Sequence, residues 1–186
     1  MTASIDRLTA DLRRCRRGDE IAARRLYANA GSAMELVALA CTNDRADAQD
    51  VVQSALLRVL ETPTERIDDV REALPWLLKI TRHVALNHLR ASRRRDTREH
   101  AVILGNNHSQ QDENPQEDLM SAIAALEIDH REIIILRHFI GLTWTQIGET
   151  VGITDRAGAA RHKVALEQLR QSMMKPRFSD RGVRQC

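Results

Sequence analysis

With 186 residues, 42% hydrophobic but only 3% aromatic, the chain can fill one ordinary domain or two small ones, with aliphatic cores. A formal charge of +2 at pH 7 gives no global polyelectrolyte character, so any affinity for nucleic acid must come from local blocks. Cys15, Cys41 and Cys186 lie too far apart for a zinc knuckle or a disulfide framework, and no apolar run approaches the roughly 18 residues that span a bilayer, so reduced thiols in a cytoplasm are expected.

Alternating strand patterns are absent, and the expectation is an all-α chain. Residues 4–17 and 19–41 predict two helices, separated at Gly18, with Gly31 expected to break the second. In "DAQDVVQSALLRVL", Ala48, Val51, Val52, Ala55, Leu56, Val59 and Leu60 fall at helical spacing and leave Asp47, Asp50, Gln53 and Ser54 opposite them. After a polar loop around Pro63, a long helix is predicted from about residue 71 to 95, with Pro75 tolerable only in or near its first turn. The stretch "EHAVILGNNHSQQDENPQED" has linker composition. The predicted organisation is a domain over 1–96, a linker over 97–116, a second domain over 117–172 and a tail over 173–186. Four helices are expected in the second domain, near 117–126, 130–139, 144–151 and 155–171. Asp129 with Glu132 and Thr143 with Gln146 both match a capping box, and Gly141 and Gly152 sit where helices should stop.

Two features carry chemistry. On a helical wheel Lys79, Arg82, His83, Arg90 and Arg93 share a face, and Trp76, Leu77, Ile80 and Val84 are read onto the opposite one. Residues 79–98 hold one lysine and six arginines against Asp96 alone, a local charge of +6 that suits a phosphate backbone, since each neutralised phosphate releases a condensed counterion. The plainer alternative is a solvated face ending in a basic tail. The second feature is the pair of helices over 143–171, whose capped start, "GIT" turn and "ALEQLR" ending fit a helix-turn-helix closed by Ile147, Val151, Ile153, Val164 or Ala165, and Leu169. An ordinary helical hairpin is its alternative. No metal-ligand spacing, Gly-rich phosphate loop or nucleophile motif is present, so neither enzymatic activity nor a cofactor or metal is expected.

In the order in which they occur, these segments resemble the extracytoplasmic-function group of bacterial sigma factors, across roughly residues 8–172. "DAQDVVQSALLRVL" is similar to the region 2 helix that docks on the clamp coiled coil of core RNA polymerase. "PWLLKITRHVALNHLRASRRR" resembles the next helix, which meets the minus-ten promoter element. "ALEIDHREIIILRHFIGLTWTQIGETVGITDRAGAARHKVALEQLR" is similar to region 4, which reads the minus-thirty-five element and binds the polymerase flap. The resemblance implies polymerase contacts from Asp47, Asp50 and Gln53. It implies DNA contacts from Lys79, Arg82, His83, Asn87, Arg90, Arg93 and Arg94 in region 2, and from Arg156, Arg161, His162 and Lys163 in region 4. The implied partners are core RNA polymerase, promoter DNA and an anti-sigma factor, without insertion into a membrane.

The chain departs from the family pattern at several places. Leu56 and Leu60 stand where aromatics are frequent, Gln49 where an acid is usual, and Asn87 where Asp is usual. Gly158 stands where a branched apolar residue is normal and Ala159 where a basic or polar one is frequent, which predicts a reading head of weaker intrinsic order. Three rivals stay open at this point. One is an adaptor or sigma mimic that binds an anti-sigma factor without reading DNA, which the Ala157–Ala160 patch favours. The others are an operator-binding dimer and a purely structural helical protein.

Overall fold

The computed structural model describes the backbone of residues 2–99 and 115–174 and the side chains of residues 7–92 and 119–174. The expected linker between 100 and 114, the tail beyond Met174, Cys186, and the side chains of Arg93 and Arg94 lie outside the described residues. The regular elements are α1 (Thr2–Arg16), α2 (Glu20–Thr42), α3 (Arg45–Glu61), α4 (Thr64–Asp68), α5 (Ala73–Glu99), α6 (Pro115–Ala124), α7 (Ile128–Ile134), α8 (Trp144–Val151) and α9 (Asp155–Met174). A π-helical turn, Ile135–Phe139, extends α7. The described residues thus form an all-helical fold, and none of their helices is long and apolar enough to cross a membrane.

Helix starts are set by short polar side chains. Asp19 accepts from the Ala22 N–H at 2.9 Å and Asp44 from the Asp47 N–H at 2.9 Å, caps of a kind that each stabilise by about 1 kcal/mol. The start of α5 is served from a distance, because the Thr9 hydroxyl of α1 accepts the Ala73 N–H at 3.1 Å. Pro75 falls in the first turn of α5, where its missing N–H costs nothing. Contrary to expectation, α2 runs unbroken through Gly31. The Tyr27 ring lies over that position, and a Cβ there would stand 3.0 Å from Tyr27 Cε2, so this glycine makes room rather than ending a helix. The polar loop expected around Pro63 holds the short helix α4.

Two apolar clusters hold the chain together. The first joins α1, α2, α3 and α5 through side chains such as Leu12, Leu26, Met34, Val51, Val59, Leu77 and Leu78. The second contains Ile123, Leu126, Ile134, Ile135, Ala165 and Leu169. The clusters meet on α7, where Ile133 and Leu136 join the first and Ile134 and Ile135 the second. A helix buried on all sides needs no periodic pattern, which explains the unbroken apolar run "IIIL". Leu142 and Ile147 also belong to the first cluster, so the second half of the chain packs directly onto the first.

The second half of the chain has one of its two expected capping boxes. Gln146 N–H donates to Thr143 Oγ1 at 3.3 Å, and Thr143 N–H to Gln146 Oε1 at 2.9 Å. The other box does not form: Glu127 occupies the cap position of α7 with no side-chain hydrogen bond, and Glu132 turns towards α5. Between α8 and α9 the turn passes through Gly152 at φ 82° and brings the Ile153 carbonyl so near Gly148 that a Cβ there would be 2.7 Å from its oxygen. Only glycine allows that approach. Val164, one of the two residues offered for the core of this unit, is exposed, and Ala165 takes the buried place.

Candidate nucleic-acid interface

Lys79, His83, Asn87 and Arg90 stand exposed along one face of α5, with the Arg90 guanidinium donating to Asn87 Oδ1 at 3.0 Å. Next to this face lies a groove of about 420 Å³ lined by Arg58, Thr62, Arg66, Trp76, Lys79, Ile80 and His83. Its wall, the chain from Thr62 to Val70, is pinned from α1. Arg16 Nε donates to Thr62 O at 2.7 Å, Arg13 Nη2 to Val70 O at 2.9 Å and to Asp68 O at 3.1 Å, and Arg17 pairs with Asp68 at 3.1 Å. Three cations and an imidazole around an indole can hold a phosphate while stacking an unpaired base.

Trp76 therefore belongs beside the cationic face, not opposite it. Positions 76, 79, 80 and 83 follow the i, i+3, i+4, i+7 rule, so the sequence already contained that signal. Arg58 and Arg66 come from other elements, and no local pattern points to them. Arg82 also differs from expectation. Its side chain is only 19% exposed and its Nε–H is shared between Glu132 Oε1 at 2.9 Å and Oε2 at 3.0 Å, so it sits at the contact between the two halves and not on an open surface.

On α3 the buried side is Ala48, Val51, Val52, Ala55 and Val59, as the wheel predicts. Leu60, read into that apolar stripe, instead points outward at 49% exposure, beside Leu57 at 61%. Asp50, Gln53, Leu57 and Leu60 make one exposed stripe, polar at one end and apolar at the other. Asp47 lies at its edge, with Oδ1 3.1 Å from His88 Nε2 of α5.

In α9 the small patch divides between two faces. Gly158 is buried, and a Cβ there would lie 3.6 Å from Trp144 Cε3, 3.7 Å from Ile153 Cδ1 and 3.9 Å from Ile147 Cγ2. The space expected for a branched side chain is already filled by Trp144 and Ile153. The outward stripe is Arg156, Ala159, Ala160 and Lys163, two small residues between two cations. Arg161 pairs with Asp129 at 3.0 Å. His162 stacks on His138 with Nε2 atoms 2.7 Å apart, and Trp144 meets it edge-on. Burial, then His138 and Arg137, hold the His162 imidazole below its usual range, which favours its neutral form. Arg137 anchors this corner by donating to Leu142 O at 2.7 Å with its guanidinium 4.8 Å over the Trp144 ring.

Residues 22–95 match the family model described as sigma-70 region 2. The ECF (extracytoplasmic-function) RNA polymerase sigma factor SigC of Mycobacterium tuberculosis is 34% identical over 137 residues, covering 69% of this chain and 72% of that protein. The chain belongs to the extracytoplasmic-function group of the sigma-70 family. The extracytoplasmic-function RNA polymerase sigma factor SigL of Mycobacterium tuberculosis is 28% identical over 160 residues, covering 81% of this chain and 88% of that protein. Among solved structures, the sigma factor RpoE in complex with the anti-sigma factor NepR from Bartonella quintana shares the fold, with a TM-score of 0.66 at 19% identity over 83% of this chain and 98% of that one. CnrH in complex with the cytosolic domain of CnrY does so at a TM-score of 0.63 and 20% identity, over 90% and 97%. As a sigma factor of this group the protein binds core RNA polymerase and directs it to promoters.

Proposed function

We propose how this sigma factor divides its work among its exposed faces. The Asp50, Gln53, Leu57 and Leu60 stripe of α3 docks on core polymerase, with Asp47 at its edge. The Lys79, His83, Asn87 and Arg90 face and the Trp76 groove receive the opened minus-ten strand, and the Arg156 to Lys163 stripe of α9 lies in the minus-thirty-five major groove. Region 2 corresponds to residues 1–96 and region 4 to 117–172. The protein acts in the cytoplasm without catalysis of its own and is held by an anti-sigma factor, as the complexes of RpoE with NepR and of CnrH with CnrY suggest.

The observation that carries this reading is the groove in which Arg58, Arg66, Lys79 and His83 surround Trp76, because it combines charge for a phosphate with a ring for a base. The adaptor that does not read DNA loses its best support, since Gly158 belongs to the core and leaves the outward cations Arg156 and Lys163 in place. Trp76→Leu keeps the apolar bulk and removes the ring, so it tests the groove. Stacking of a base on an aromatic side chain contributes about 1–3 kcal/mol, so permanganate footprinting with core polymerase should show opened promoter reduced about fivefold or more. Undiminished opening by a correctly folded variant would refute the groove's role.

A further inference from the structure

We propose that Glu132 is a latch that holds regions 2 and 4 closed by occupying Arg82, and that promoter DNA releases it by supplying phosphate in place of the carboxylate. The proposal rests on the reading that the cationic side of α5 meets DNA. Arg82 lies at the edge of that side, between the exposed Lys79 and Arg90 and the surface covered by region 4.

The contact has the construction of a catch and not of a cement. Glu132 is only 2% exposed, yet among the described residues its support is thin: one Arg82 N–H split between two oxygens, and the Cys41 thiol, a weak donor, 3.1 Å from Oε1. Burial raises the carboxyl above its usual range even though Arg82 and Cys41 draw it back, and burial with Glu132 pushes the Cys41 thiol far up, so it remains protonated and able to donate. Arg131, beside Glu132 in sequence, donates to Ala40 O at 3.1 Å and Leu126 O at 2.8 Å but leaves its Nε–H buried and unpaired. A buried pair with such partial compensation stabilises little compared with apolar side chains of the same volume. Its effect is to make closure depend on a charge that a phosphate can replace.

Around this polar layer the closure is otherwise ordinary. Ile133, Leu136, Leu142 and Ile147 join the region 2 core, and at the rim Gln146 Nε2 donates to Glu72 while Thr150 Oγ1 reaches Pro75 O at 3.5 Å. Removing the latch charge should shift the population towards the open form, and a ligand that needs the open form then binds more tightly by the gain in that fraction.

Two variants of the full chain test this. Glu132→Gln keeps the shape and removes the charge. Gln146→Glu keeps the α8 capping box, since Glu serves equally at that position, and sets a carboxylate against Glu72. It lies nearer solvent and avoids the risk that the buried change prevents folding. Each variant should show a larger radius of gyration by small-angle scattering. Each should also bind a labelled single-stranded minus-ten oligonucleotide more tightly, by up to about tenfold where roughly a tenth of the parent is open. By linkage, the same oligonucleotide should expand the parent protein. Unchanged size and affinity in both variants would overturn the latch and leave the groove to the Trp76 test. Expansion without any gain in affinity would overturn the competition for Arg82 while leaving the exposed α5 face to the Trp76 test.

Discussion

The two outward faces proposed to meet DNA follow opposite plans. The α5 face sets Lys79 and His83, with Arg58 and Arg66, around a groove lined by Trp76, whereas the α9 stripe spaces Arg156 and Lys163 at either end of two alanines. The first is dense, concave and aromatic, suited to an unstacked strand whose bases and phosphates must both be held. The second is smooth and convex, suited to lying in a major groove of intact duplex with cations reaching the phosphates on either side. The difference predicts that shortening a side chain costs DNA binding on the α5 face, whereas the α9 face already works with two alanines.

The comparison breaks most sharply at Gly158, where the small residue faces inward. A methyl group fits contacts of 3.6 to 3.9 Å, but the two further carbons of valine would meet Trp144 and Ile153. Gly158→Val should therefore cost about 1–3 kcal/mol through overpacking. Gly158→Ala should stabilise by up to about 1 kcal/mol through helix propensity. Chemical denaturation of the pair checks both signs, and a stable valine variant would mean that α9 is held away from Trp144.

How much of the fold and of the interface is legible in the sequence depends on the range of the interactions. The α3 stripe, the Thr143–Gln146 box and the helix-turn-helix are legible because each is fixed within one or two turns. Leu60 is misassigned by its apolarity, although its spacing of three from Leu57 and seven from Gln53 already sets it on the exposed stripe, and Gly31 by propensity, which says nothing of the Tyr27 ring above it. Glu132 has the spacing of a capping residue, but Arg82, fifty residues earlier, claims its carboxylate. The groove is half legible: Trp76, Lys79, Ile80 and His83 obey helical spacing, but Arg58 and Arg66 reach it only through the packing of α3 and α4.

Salt dependence sharpens the contrast between the two faces. Lys79→Ala with Arg90→Ala, and separately Arg156→Ala with Lys163→Ala, should each lower the slope of log affinity against log salt for the polymerase complex by about 2, one for each phosphate no longer neutralised. The loss of affinity caused by the α9 pair should vanish on a promoter without a minus-thirty-five element, and that caused by the α5 pair should persist. Equal behaviour of both pairs on both promoters would contradict the division of labour.

The smallest expected effect concerns acid stability, and it too separates the regions. His162 of α9 is held below its ordinary imidazole range by burial, His138 and Arg137. In the unfolded chain it titrates near pH 6.5, so above that pH both states are neutral and it contributes no slope. As the pH falls below about 6.5 the unfolded state binds a proton that the folded state resists, and stability declines until the folded group titrates as well. Asp19, the cap of α2, is shifted down, first by the Ala22 N–H it holds, so its contribution is present above its unfolded value and lost as the pH falls through its lowered folded value. Glu132 acts with the opposite sign, because a carboxyl raised by burial takes up its proton earlier in the folded state and favours folding as the pH falls. The net profile therefore mixes two slopes, and the difference between the parent and His162→Gln isolates one of them. Thermal melts from about pH 7.5 to 5.5 should show the parent losing more stability than this variant, with the separation opening below about pH 6.5. Parallel profiles would mean that burial, with His138 and Arg137 beside it, does not hold the imidazole neutral.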